Sequence, residues 1–148
     1  MAVLFFDEIE VGQSVTVGDY EVSRDEVVDF ARRWDPQPFH IDEQAADQSI
    51  YGGLIAAGSH TMAIRTALLC RQPRPPAVMA ALGWDEVRFP NPVRVGDRLS
   101  LEVTFVDKKL SASKPDRGIV HTRITVSNQD GIPVLTQKDT ILVARKKG

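Results

Sequence analysis

A chain of 148 residues that is 43% hydrophobic is long enough to bury one core and too short for two large ones, so residues 1–148 read as a single domain. With 18 basic and 20 acidic residues, its net charge of -2 gives no basis for a nucleic-acid groove or an anionic membrane surface, and small molecules or protein partners are the expected ligands. No apolar run reaches the roughly 18 residues of a membrane span, the start has no basic flank or cleavage signal, and the single cysteine excludes an intrachain disulfide, so a cytoplasmic, reducing setting is expected.

In chain order, Ser23 and Glu26 have the spacing of a capping box, and Val27, Phe30, Ala31 and Trp34 then share one helical face until Pro36 stops the helix. Asp42 or Asp47 can cap a further short turn. A second helix is predicted over Leu54 to Leu69. It is apolar or small nearly all round, with Arg65 its one permanently charged residue, and such a helix must be covered on most sides. Cys70 follows in apolar surroundings and reads as a small core residue. The proline cluster Gln72 to Pro76 is a loop within the domain, because neither flank holds a core of its own.

Beyond it the pattern changes to a period of two. Ala80 to Phe89 is a candidate strand, Leu99, Leu101, Val103 and Phe105 alternate with polar residues, and Val120, Thr122, Ile124 and Val126 repeat the alternation. Asn128 to Gly131 supplies a hairpin turn, after which Ile132 to Val143 returns as a long strand. The expected class is therefore α+β: a curved antiparallel sheet wrapped around a long central helix. Its open edges and exposed apolar surface favour pairing with a second copy, as a homodimer or a larger even homo-oligomer.

Candidate chemistry centres on Asp35-Pro36-Gln37-Pro38-Phe39-His40, where two prolines stiffen the backbone between a carboxylate and an imidazole. That stiffness lowers the entropic cost of aiming two proton-transfer groups at one point. The spacing alone favours a simpler account, in which Asp35 ends a helix and His40 bonds a nearby carbonyl. His60 and His121 read as structural or solvent-facing. No metal site is expected, since His40 and His60 lack the i, i+4 spacing and the Cys/His clustering of metal ligands. Ser59 lies outside a Gly-x-Ser-x-Gly elbow, so a serine hydrolase is not indicated.

Several segments together resemble the MaoC-like dehydratase family, which includes the (R)-specific enoyl-CoA hydratases: Phe30-Ala31, Asp35 to Asp42, Gly52 to Gly58, Arg88 to Val93, and Gly96-Asp97. The resemblance covers most of the chain and implies a hot-dog fold. It implies that the family's catalytic aspartate and histidine fall on Asp35 and His40, that the oxyanion glycine falls on Gly58, and that Thr66 stands where a serine supports the aspartate. An equal account of Thr66 is a helix-interior threonine bonding its own backbone. Trp34 replaces a glycine before the aspartate and Gln37 replaces an asparagine after it, so both bear on the acyl group accepted. The resemblance implies an acyl-CoA or acyl-carrier-protein thioester as partner, with no further cofactor. Hydration or dehydration of a thioester leads; a hot-dog thioesterase and a catalytically silent acyl-thioester binding module are the alternatives.

Overall fold

The structure, a computed structural model, describes residues 2–147. Strand β1 (Ser14–Glu21) is followed by helices α1 (Arg24–Trp34), α2 (Pro38–Ile41), α3 (Glu43–Asp47) and α4 (Gly58–Leu69), then by strands β2 (Val78–Arg88), β3 (Arg98–Leu110), β4 (Arg117–Ser127) and β5 (Pro133–Ala144). All five strands form one antiparallel sheet in the order β1-β3-β4-β5-β2.

The alternation read from the sequence is the reason the sheet has a dry face. Leu99, Leu101, Val103 and Phe105 on β3, Val120, Ile124 and Val126 on β4, and Leu135 and Val143 on β5 are each at most 2% exposed. Ile64 and Leu68 of α4 cluster with Leu99, Leu101, Val103, Ile124, Val126 and Leu135, whereas Phe105, Val120 and Val143 join Phe6 and Ile9 in a second cluster. Each such side chain contributes about 1.5–3 kcal/mol on burial, which holds the helix in the curve of the sheet. This is the hot-dog arrangement.

Three features differ from the expectations. Strand β1 lies in the half that the periodicities mark as helical; a register shift between Val17 and Tyr20 interrupts its alternation, and its partners, β3 and the core around Val17, are distant in the chain. Helix α4 starts at Gly58 instead of Leu54. Ile55 bridges to Arg94 and the Ala56 N–H donates to the Val93 carbonyl, so these residues find extended partners before the helix begins. Helix α4 is covered on most sides, as its composition requires, but Cys70 is not a core residue: it continues the one exposed stripe of the helix, Ser59, Ala63 and Thr66.

The dry face is not wholly apolar. Arg65 of α4 is 2% exposed, with its guanidinium 4.2 Å from the centre of the Trp84 ring, and Asp139 lies buried on β5. Burial pushes the Asp139 carboxyl up, with Arg65 partly opposing the shift, and holds the Arg65 guanidinium below its usual range. No helix among the described residues is long and apolar enough to cross a membrane.

Candidate active site

The site begins where α1 ends. Asp35 is the C-cap of that helix, its N–H donating to the Ala31 carbonyl, and Pro36 prevents continuation. Pro38 then opens α2 as its first residue, and the single turn it starts carries His40 back toward the core. His40 is 4% exposed. Its Nδ1 lies 2.7 Å from the Ile55 carbonyl oxygen, which can only accept, so Nδ1 carries the proton and donates. The extended Leu54 to Ala57 segment thereby fixes the ring, and Phe39 meets it edge-on with centroids 4.5 Å apart.

With Nδ1 engaged, Nε2 is the free nitrogen, and it faces Asp35 Oδ2 at 3.5 Å. That separation exceeds an ordinary hydrogen bond and leaves the carboxylate, whose side chain is 34% exposed, open to a third atom. The simpler account of these residues is therefore literally true, since Asp35 ends a helix and His40 bonds a carbonyl. The same two contacts aim the remaining nitrogen at the carboxylate.

His40 forms part of the wall of a cavity of about 370 Å³, with Tyr51, Ile55, Gly58, Thr61, Phe89, Asn91 and Val134 among its other lining residues. Gly58 is the first residue of α4. No side chain caps that helix at Ala57, so its leading N–H groups and the positive end of its dipole are left to the cavity. A side chain at this position would be crowded: a Cβ on Gly58 would sit 3.1 Å from the Phe89 ring, which would have to give by a few tenths of an ångström. Phe89 is 49% exposed where it meets the cavity, and the Pro90 to Val93 turn after it is anchored by Asn91, whose amide donates to the Pro133 carbonyl at 2.8 Å.

His40 and Gly58 thus meet at one cavity, and Asp35 joins them through His40. The other expected residues lie elsewhere. Trp34 is 65% exposed and Gln37 is exposed at the start of α2; neither is on the cavity wall. Thr66 is exposed, donates to the Met62 carbonyl at 3.3 Å and accepts from Arg65 Nη2 at 2.8 Å, the bonding of a helix-interior threonine. Phe89 and Thr61 are cavity residues that sequence reasoning did not single out. Phe89 was visible only as part of the matching Arg88 to Val93 segment. Among the described residues, no three His, Cys, Asp or Glu side chains group as a metal ion would require.

A model of the MaoC like domain matches residues 8–128. The chain belongs to this MaoC-like family. Its fold is similar to the crystal structure of the MaoC-like dehydratase from Rhodospirillum rubrum, with a TM-score of 0.91 and 37% identity over 98% of this chain and 99% of that one. The uncharacterized protein YdeM of Bacillus subtilis is 29% identical over 94% of this chain and 98% of its own length. The 3-hydroxybutyryl-CoA dehydratase of Methylorubrum extorquens is 34% identical over 72% of this chain and 67% of its own. Within this MaoC-like domain, the rigid Asp35/His40 turn and the uncapped glycine at the start of the central helix are the features with chemistry to offer.

Proposed function

We propose that this MaoC-like protein interconverts a trans-2-enoyl thioester and a 3-hydroxyacyl thioester, with (R) stereochemistry and a CoA carrier. One observation carries the reading: a free imidazole nitrogen and a carboxylate face each other across 3.5 Å, beside a cavity that also receives the uncapped start of α4. Addition of water across a conjugated double bond needs those parts. Hydroxide attacks the β-carbon while the water's other proton passes to one member of the Asp35/His40 pair. The π electrons move onto the thioester oxygen, where the Gly58 N–H stabilises the enolate, and the α-carbon then takes a proton from the pair. Dehydration is the reverse. All proton traffic is assigned to these two side chains, and no cofactor is invoked.

The relationship to a 3-hydroxybutyryl-CoA dehydratase supports a short acyl chain. Strand β2 is a sheet edge with Val78, Met79, Leu82 and Trp84 all exposed, which supports assembly as a homodimer through that edge. The deciding experiment supplies crotonyl-CoA and longer 2-enoyl-CoA esters to the purified protein. Absorbance of the conjugated thioester is expected to fall without release of free thiol. Thiol release would establish a thioesterase instead, and neither signal would leave a silent binding module.

A further inference from the structure

A second buried imidazole lies at the start of α4. His60, the third residue of that helix, is 2% exposed, and its Nε2–H donates to Glu26 Oε1 at 2.8 Å. The Tyr20 hydroxyl donates to the same oxygen. Phe30, one turn after Glu26 on α1, stacks on the imidazole with centroids 4.5 Å apart and planes 11° from parallel. One carboxylate oxygen thus joins β1, α1 and α4, and Phe30 holds the ring in its plane.

The local sequence offers this carboxylate another use. Glu26 stands three residues after Ser23, and its backbone N–H does donate to the Ser23 hydroxyl, but its side chain does not return to close the capping box. It reaches across to α4. His60 is not on the cavity wall, so it has no route to a bound acyl group. What it can fix is position. Asp35 is the last cap of α1 and Gly58 is the first residue of α4, and the contact lies in the first turn of both helices.

We infer that Glu26, His60 and Tyr20 are positioning residues, a clamp that sets the distance between the Asp35/His40 pair and the Gly58 amide and so holds the thioester oxygen and the proton-transfer groups in register. The kinetic part of this inference rests on the hydratase reading. Loss of the clamp shifts α4 relative to α1, which affects the transition state far more than ground-state binding.

The test uses the full chain. Glu26→Ala and His60→Ala should lower kcat by about tenfold or more with KM changed by less than about twofold, since small misplacements act mainly on the chemical step. Glu26→Gln retains an acceptor oxygen for both donors, and it should restore kcat to within about threefold of the parent. Tyr20→Phe removes one hydroxyl and leaves the core filled; it should give a smaller kcat loss in the same direction, and this variant decides the matter if the alanine variants do not fold. A separate readout does not depend on activity: in Glu26→Ala the Asp35 and Gly58 backbone amide resonances should shift together, whereas Asp29→Ala, an exposed carboxylate on the same helix, should leave both in place. Unchanged kcat in the folded variants, or unmoved resonances, overturns the clamp. A parent protein that does not hydrate 2-enoyl thioesters but shows the paired resonance shifts would overturn the functional reading and leave the clamp standing.

Discussion

Helix α1 presents a carboxylate at each end to a buried imidazole, Asp35 to His40 and Glu26 to His60, and the two regions differ in how tightly the pair is closed. Glu26 and His60 are in direct contact at 2.8 Å, away from the cavity and under a stacked ring. Asp35 and His40 stand 3.5 Å apart with His40 on the cavity wall. Burial, residue type and charge are alike in both, so none of these distinguishes a reactive pair from a structural one. The gap and the access do. In the closed pair the facing nitrogen and oxygen already have each other as partners, whereas a pair held slightly apart gains most when a water or a reacting oxygen completes it.

The largest effect should come from breaking the open pair. Asp35→Asn and His40→Ala are each expected to lower turnover of 2-enoyl thioesters by about a hundredfold or more, the scale of lost general acid/base catalysis, while the thermal midpoint moves little for the half-exposed Asp35. Full activity in both variants would place the chemistry elsewhere. The next largest effect should follow from filling the space over the oxyanion donor. Gly58→Ala forces Phe89 aside and should lower kcat/KM by about tenfold or more, whereas Gly83→Ala, where a Cβ meets nothing within 4 Å, should leave it unchanged.

The smallest effect concerns the closed pair and is spectroscopic. Burial first, and then the hydrogen bond to Glu26, push the Tyr20 hydroxyl up to about 12 from 10.0. Because the folded value lies above the unfolded one, the neutral hydroxyl's contribution to stability is complete below pH 10.0 and is lost as the pH rises through about 12. Absorbance at the tyrosinate band should therefore show one of the two tyrosines ionising near that upper value, and Glu26→Gln should move its midpoint down. An unmoved midpoint would mean that the charge of Glu26 does not act on the hydroxyl.

Much of this architecture was legible in the chain because local rules and tertiary demands agree. Ser23 caps α1 as its position suggests, Pro36 ends it, and the alternating residues of β3 and β4 face the core as their spacing requires. Disagreement appears where a long-range partner outbids a local one. Glu26 has the spacing of a capping box and turns to His60 instead; Leu54 to Ala57 has helix-compatible composition and is drawn into extended structure by Arg94, Val93 and His40. Strand β1 was hidden for the same reason, since most of what stabilises it lies about 80 residues away on β3.

By itself the sequence determined the rigid Asp35 to His40 turn, the need for a covered helix after it, and the strands able to cover that helix. Those features depend on proline geometry and hydrophobic period, which act between near neighbours. Only the tertiary structure decided that His40 Nδ1 is occupied by Ile55 and that its other nitrogen meets Asp35 across a gap. The fold also brings an uncapped Gly58 to the same cavity and leaves Trp34, Gln37 and Thr66 off its wall. Proton positions and amide directions are set by partners far apart in the chain, and distance in space is not encoded in spacing along it.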